Sequence, residues 1–98
     1  MPETLLTANV LMEHDVGLHA RPSVKLTKLA KKFDAKIELA THADGPWIDA
    51  KSIVKVMAMK APKGTILHFR ANGPQAQPAL DGLIGLVEND FFETGGKD

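Results

Sequence analysis

Apolar side chains recur along this chain at two spacings, and the alternation between them predicts the order of its elements. Over residues 5–13, Leu6, Ala8, Val10 and Met12 share one face while Thr7, Asn9 and Glu13 take the other, the period of two expected of a half-buried strand. From residue 20 to 33 the period lengthens to that of a helix. Pro22, Leu26, Leu29, Ala30 and Phe33 form its core stripe, and Lys25, Lys28, Lys31 and Lys32 line the remainder. The period of two returns at residues 36–41, with Ile37, Leu39 and Thr41 inward and Lys36, Glu38 and Ala40 outward. Asp44, Gly45 and Pro46 signal a turn, so Trp47, Ile48 and Asp49 return as a short edge strand of a hairpin. A two-turn helix follows over residues 53–59, with Ser52 as its N-cap. Residues 65–71 form a fourth strand with Leu67, Phe69 and Ala71 inward, and residues 74–90 a last helix with Leu80, Leu83, Ile84, Val87 and Phe91 toward the core. Gly82 and Gly85 each weaken that helix by ~1 kcal/mol relative to alanine, so tertiary packing must hold it. Residues 93–98 read as a frayed tail.

The order is therefore β-α-β-β-α-β-α. Each strand has a single apolar face, so three helices must cover one side of a four-stranded sheet and leave the other to water. This is an α+β fold, and a chain of 98 residues makes one domain, with a core over about residues 4–92.

Chemistry concentrates where the first helix begins. In Gly17-Leu18-His19-Ala20-Arg21-Pro22-Ser23, proline fits only the first turn of a helix, where its missing N–H is not needed. The helix then starts near Ala20 with His19 at its mouth. The amides of Ala20, Arg21 and Ser23 lack intrahelical partners and carry the positive end of the helix dipole. Such a place suits an anion, phosphate above all. A histidine there, with Arg21 two residues on, points to an imidazole that carries phosphate. Neutral imidazole, with a reference pKa of about 6.5, is a competent nucleophile near neutrality.

The second helix has more apolar residues than one face can take. Val56 and Met59 can point to the core; Ile53, Val54 and Met57 then fall on another side, where they either form a partner surface or are covered by tertiary packing. Val24 lies off the first helix's core stripe, on the side of Arg21 and Lys28. It is either a docking contact or a lone exposed valine. Together with Lys28 and Lys55 these residues make the candidate docking patch.

Composition narrows the class. Twelve acidic residues balance twelve basic ones, which argues against general nucleic-acid binding. There is no cysteine and hence no disulfide framework. No apolar run approaches the ~20 residues needed to cross a bilayer, and the N-terminus lacks a signal-peptide pattern, so the expectation is a cytoplasmic monomer without membrane insertion. His14, His42 and His68 do not combine with His19 into a ligand set, so no metal is expected. No glycine-rich phosphate loop or nucleophile–base–acid constellation is present, and no cofactor is expected.

Gly17-Leu18-His19-Ala20-Arg21-Pro22, followed some thirty residues later by Lys51-Ser52-Ile53-Val54-Lys55-Val56-Met57, resembles HPr, the histidine-containing phosphocarrier of the bacterial phosphoenolpyruvate-dependent phosphotransferase system. The likeness runs from about Leu5 to Phe91. It implies an open-faced β-sandwich, an antiparallel four-stranded sheet with three helices on one face. It implies a carrier rather than an enzyme, with His19 accepting phosphate on Nδ1 from Enzyme I and passing it to an EIIA-type protein. Ala20 and Arg21 would hold the phosphate. Ser52 matches the serine that an HPr kinase/phosphorylase modifies in some bacteria. The C-terminal stretch from Gly73 to Glu93 looks closer to the nitrogen-related branch than to the sugar-transport branch, which leaves sugar uptake and nitrogen or carbon regulation both open. A regulatory binding protein acting through Ser52 and protein docking is the alternative.

Overall fold

Where the apolar period is two the chain forms strands, and where it lengthens the chain forms helices. The computed structural model describes residues 5–13, 20–89 and 91. In chain order its elements are β1 (Leu6–Leu11), α1 (Ala20–Ala30), β2 (Lys36–Ala40), β3 (Ile48–Asp49), α2 (Ile53–Met59), β4 (Ile66–Asn72) and α3 (Ala76–Glu88). The strands make one antiparallel sheet in the order β1-β4-β2-β3. β1 pairs with β4 through Leu6↔Ala71 to Leu11↔Ile66, and β2 pairs with β4 through Lys36↔Asn72 to Ala40↔His68. The connection through α1 thus carries the chain from β1 over β4's place to β2. The three helices cover one face. α3 packs on β1 and β4, α2 on β3, and α1 lies between α2 and α3.

The core is built from the predicted inward positions. Val10, Met12, Ile37, Leu39, Leu67, Phe69 and Ala71 from the sheet meet Leu26, Ala30, Val56, Leu80, Leu83 and Val87 from the helices. The strand residues between them, Thr7, Asn9, Leu11, Lys36 and Ile66, are exposed on the other face. One outward residue is not exposed. Ala40 is fully buried, because a single methyl group on a central strand is sheltered by taller side chains, including that of its cross-strand partner His68. That face is further covered by a stack: the Arg70 guanidinium lies 4.3 Å from the Trp47 ring centroid and its Nε donates to Glu38 Oε1 at 2.7 Å.

Both long helices are shorter than their periodicity predicts. α1 ends at Ala30 rather than 33 because its last turn tightens: Lys32 and Phe33 donate to Leu29 and Ala30, three residues back rather than four. α3 begins at Ala76 rather than 74 because the preceding segment is engaged across the molecule. The Gln75 carboxamide accepts from the Asp34 amide at 2.6 Å, and the Gln75 amide returns a bond to the Asp34 carbonyl at 3.0 Å. Gly73, at φ +121°, allows this approach, since a Cβ there would sit 3.0 Å from Ala35 Cα. Phe91 is buried as expected but lies beyond the helix, its amide donating to the Leu86 carbonyl at 2.7 Å. The expected tail at 93–98 lies outside the described residues.

Candidate functional site

Helix α1 begins at Ala20, the start that Pro22 requires. Ala20 and Arg21 are exposed and Pro22 is buried, so the proline ring anchors the first turn while the arginine stays in solvent. A helix that starts at Ala20 gives the Ala20 and Arg21 amides no acceptor within it. His19 lies outside the described residues, as does the rest of its loop, residues 14–19. The start of α1 thus brings together two amides with no acceptor inside the helix, the positive end of the helix dipole and an exposed Arg21.

The same helix shows what spacing alone misses. Ser23 and Thr27 are buried polar residues, one turn apart on the side facing the core. Thr27 Oγ1 donates into its own helix, 3.0 Å from the Ser23 carbonyl and 3.1 Å from that of Val24. A threonine satisfied in this way can sit in a core. The i, i+4 spacing of Ser23 and Thr27, continuous with Ala30, was the available signal. Ser23 Oγ has no partner among the described residues.

Ser52 caps α2 as predicted. Its backbone is extended (φ −101°, ψ 110°) and its Oγ accepts from the Lys55 amide at 3.3 Å. The approach to the helix is held at several points. Lys51 Nζ donates to the Phe33 carbonyl at 2.9 Å, just past the end of α1, and the Lys51 amide donates to Asp49 Oδ1 at 2.9 Å. The Ala50 amide bonds the Ile37 carbonyl at 3.0 Å. These ties fix the start of α2 to both the sheet and α1. At its other end Lys60 adopts a left-handed conformation (φ 53°) and closes the helix through its amide to the Met57 carbonyl.

The surplus apolar residues of α2 divide as the crowding argument requires. Val56 is fully buried, Ile53 half-buried, and Val54 and Met57 exposed at 74% and 40%. Lys55 is exposed beside them. On α1, which packs against α2, Val24 is 41% exposed and Lys28 is also exposed. Packing covers the Ile53 side chain in part and leaves the others to solvent. Two adjacent helices thus expose apolar side chains together with Lys28 and Lys55, and α1 also carries the exposed Ala20 and Arg21 at its start.

Among the described residues no group of acidic residues, histidines or cysteines could hold a metal ion. No described helix is long and apolar enough to cross a membrane.

Comparison with known proteins gives this arrangement a family. The family described as the PTS HPr component phosphorylation site matches residues 6–89. The phosphocarrier protein HPr of Cupriavidus necator is 37% identical over 89 residues, covering 91% of this chain and 98% of its own. The multiphosphoryl transfer protein of Haemophilus influenzae is 34% identical over 95% of this chain, which spans only 19% of that longer protein. Among solved structures, HPr-C-His from Thermoanaerobacter tengcongensis superposes with a TM-score of 0.80 at 27% identity, over 95% of this chain and 99% of its own. An open antiparallel sheet under three helices, an α1 that starts on Ala20-Arg21-Pro22, and a family match across nearly its full length lead to one conclusion: the chain belongs to the HPr family, the phosphocarriers of the phosphotransferase system.

Proposed function

We propose that His19 accepts a phosphoryl group on Nδ1 from phosphorylated Enzyme I and hands it to an EIIA-type protein. The observation that carries this reading is the start of α1 at Ala20, directly after His19 in sequence, within the segment matched by the family. The neutral imidazole attacks phosphorus, the bond to the donor breaks, and the phosphoryl group moves with no covalent role for any other side chain here. The amides of Ala20 and Arg21 and the Arg21 guanidinium offset the charge of the bound group. They lie at an exposed helix end, so the group remains within reach of a second protein. In-line alignment comes from the docked partner, and the domain acts as a stoichiometric carrier.

Val24, Ile53, Val54 and Met57, with Lys28 and Lys55, form the docking surface for donor and acceptor alike. Incubation with phosphoenolpyruvate and Enzyme I tests the carrier role. It should place acid-labile, base-stable phosphate on this chain, and His19→Ala should abolish labelling. Failure to label with Enzyme I from the same cell would overturn it.

The position of Ser52 supports a regulatory role as well, whether on the carrier or in a binding protein that works through docking alone. Ser52 is half-buried at the cap of the docking helix. Phosphate there adds about −1.5 to −2 charge. A helix N-terminus tolerates that charge, but it lies beside the apolar patch and repels an acidic partner. An HPr kinase/phosphorylase is the modifying partner this reading requires. Ser52→Asp should slow transfer from Enzyme I with the fold intact; an unchanged rate would remove the idea.

A further inference from the structure

The docking patch lies toward the β3 side of the sheet, where α2 packs. At the opposite edge β1 pairs with β4 on one side and, among the described residues, with no strand on the other. The direction of its backbone groups follows from the register. The Ala50 amide bonds the Ile37 carbonyl, so the odd-numbered residues of β2 face β3 and the even-numbered ones face β4. Carried across the two ladders, this alternation turns Leu67, Phe69 and Ala71 of β4 toward Val10, Ala8 and Leu6 of β1. The bond from the Met12 amide to the Thr65 carbonyl, 2.9 Å, agrees. The N–H and C=O groups of Thr7, Asn9 and Leu11 therefore point outward.

Edge strands are usually blunted by lysine, proline or shortness. β3 uses shortness, with two residues. β1 uses none of these devices: its six residues, Leu-Thr-Ala-Asn-Val-Leu, include no charge, proline or glycine. Beside this edge runs a groove of about 400 Å³ between β1 and α3, its helical wall bearing Asp81, Ile84, Gly85 and Glu88. A second hollow, lined by Leu11, Glu13 and Glu88 among others, continues it along the strand. Among the described residues no lysine, arginine or histidine lines either one. Gly85 weakens α3, yet a Cβ built there meets nothing within 4 Å, so packing within the described chain does not call for it.

We propose that this edge receives an extended segment of a partner protein as a fifth strand, and that the segment carries basic side chains on its helix-facing side. Backbone pairing to Thr7, Asn9 and Leu11 supplies the affinity, and alternate side chains enter the groove. Their charge complements Asp81, Glu88 and Glu13. A second copy of this chain fits less well, because β1-to-β1 pairing would set two acidic walls against each other. The site is separate from the α2 patch, so it can be filled while the carrier surface stays open.

The test is an NMR titration of the ¹⁵N-labelled full chain with the peptide acetyl-Lys-Val-Arg-Val-Lys-Thr-amide, beside a counterpart bearing glutamate at each basic position. The basic peptide should shift the amides of Thr7, Asn9, Leu11 and Gly85, slow hydrogen exchange at Asn9, and leave α2 unperturbed. The acidic peptide should bind about tenfold more weakly. Combining Asp81→Lys with Glu88→Lys should cost the basic peptide about fivefold or more, and Gly85→Leu should occlude the groove. Absence of shifts at millimolar peptide, or equal binding of the two peptides, would overturn the proposal. So would protection of the edge that rises with protein concentration alone, which would place a second copy there.

Discussion

Val54 and Val56 stand two residues apart in one short helix, and truncating each to alanine should have opposite consequences. Each substitution removes about two methyl groups, worth about 0.8 kcal/mol apiece when taken from water. Val56 is fully buried, so its loss forfeits that transfer and leaves a cavity, roughly 2–3 kcal/mol in all. In a domain of this size the melting temperature should fall by about 10 °C or more. Val54 keeps 74% of its surface exposed in the free protein, so Val54→Ala should stay within about 0.5 kcal/mol of wild type in stability. If docking buries that exposed part, the same truncation forfeits about 1.2 kcal/mol of association, roughly eightfold in the concentration of this protein that half-saturates Enzyme I. Urea denaturation supplies the first number, and the initial rate of phosphoryl transfer against carrier concentration supplies the second. A Val54→Ala variant that loses more than about 1 kcal/mol of stability, or one that transfers with unchanged half-saturation, would refute the division of this helix into a core face and a docking face.

The two glycines of α3 should part company. Gly85→Ala enters open space and should stabilise by about 0.5–1 kcal/mol, whereas at Gly82 the new Cβ meets Phe33 Cζ at 3.4 Å, so the gain should be smaller; equal shifts in urea midpoint would contradict this. Ser52→Ala removes the acceptor for the Lys55 amide and should cost about 1 kcal/mol, while Ser52→Asp, which keeps an acceptor at the cap, should cost less; thermal denaturation of the three proteins gives the order.

Local pattern in the sequence sufficed for the order and type of the elements, the apolar face of the long strands, the start of α1 and the cap of α2. These are local matters. A period of two or of 3.6 is a property of neighbouring residues, and a proline or serine at a helix start acts within one turn. Its motifs also sufficed to point to the family. What depends on residues distant in the chain was set by packing. Asp34 and Gln75, forty-one residues apart, bind each other and so delay the start of α3. Thr27 is buried because its hydroxyl is satisfied within its own helix, and Ala40 because its neighbours across the sheet are taller. That β1 is an open edge among the described residues, beside an acidic helix wall, follows from the strand order β1-β4-β2-β3, which no local pattern records. Periodicity says which face of a strand is apolar; only the pairing says which strand has no neighbour.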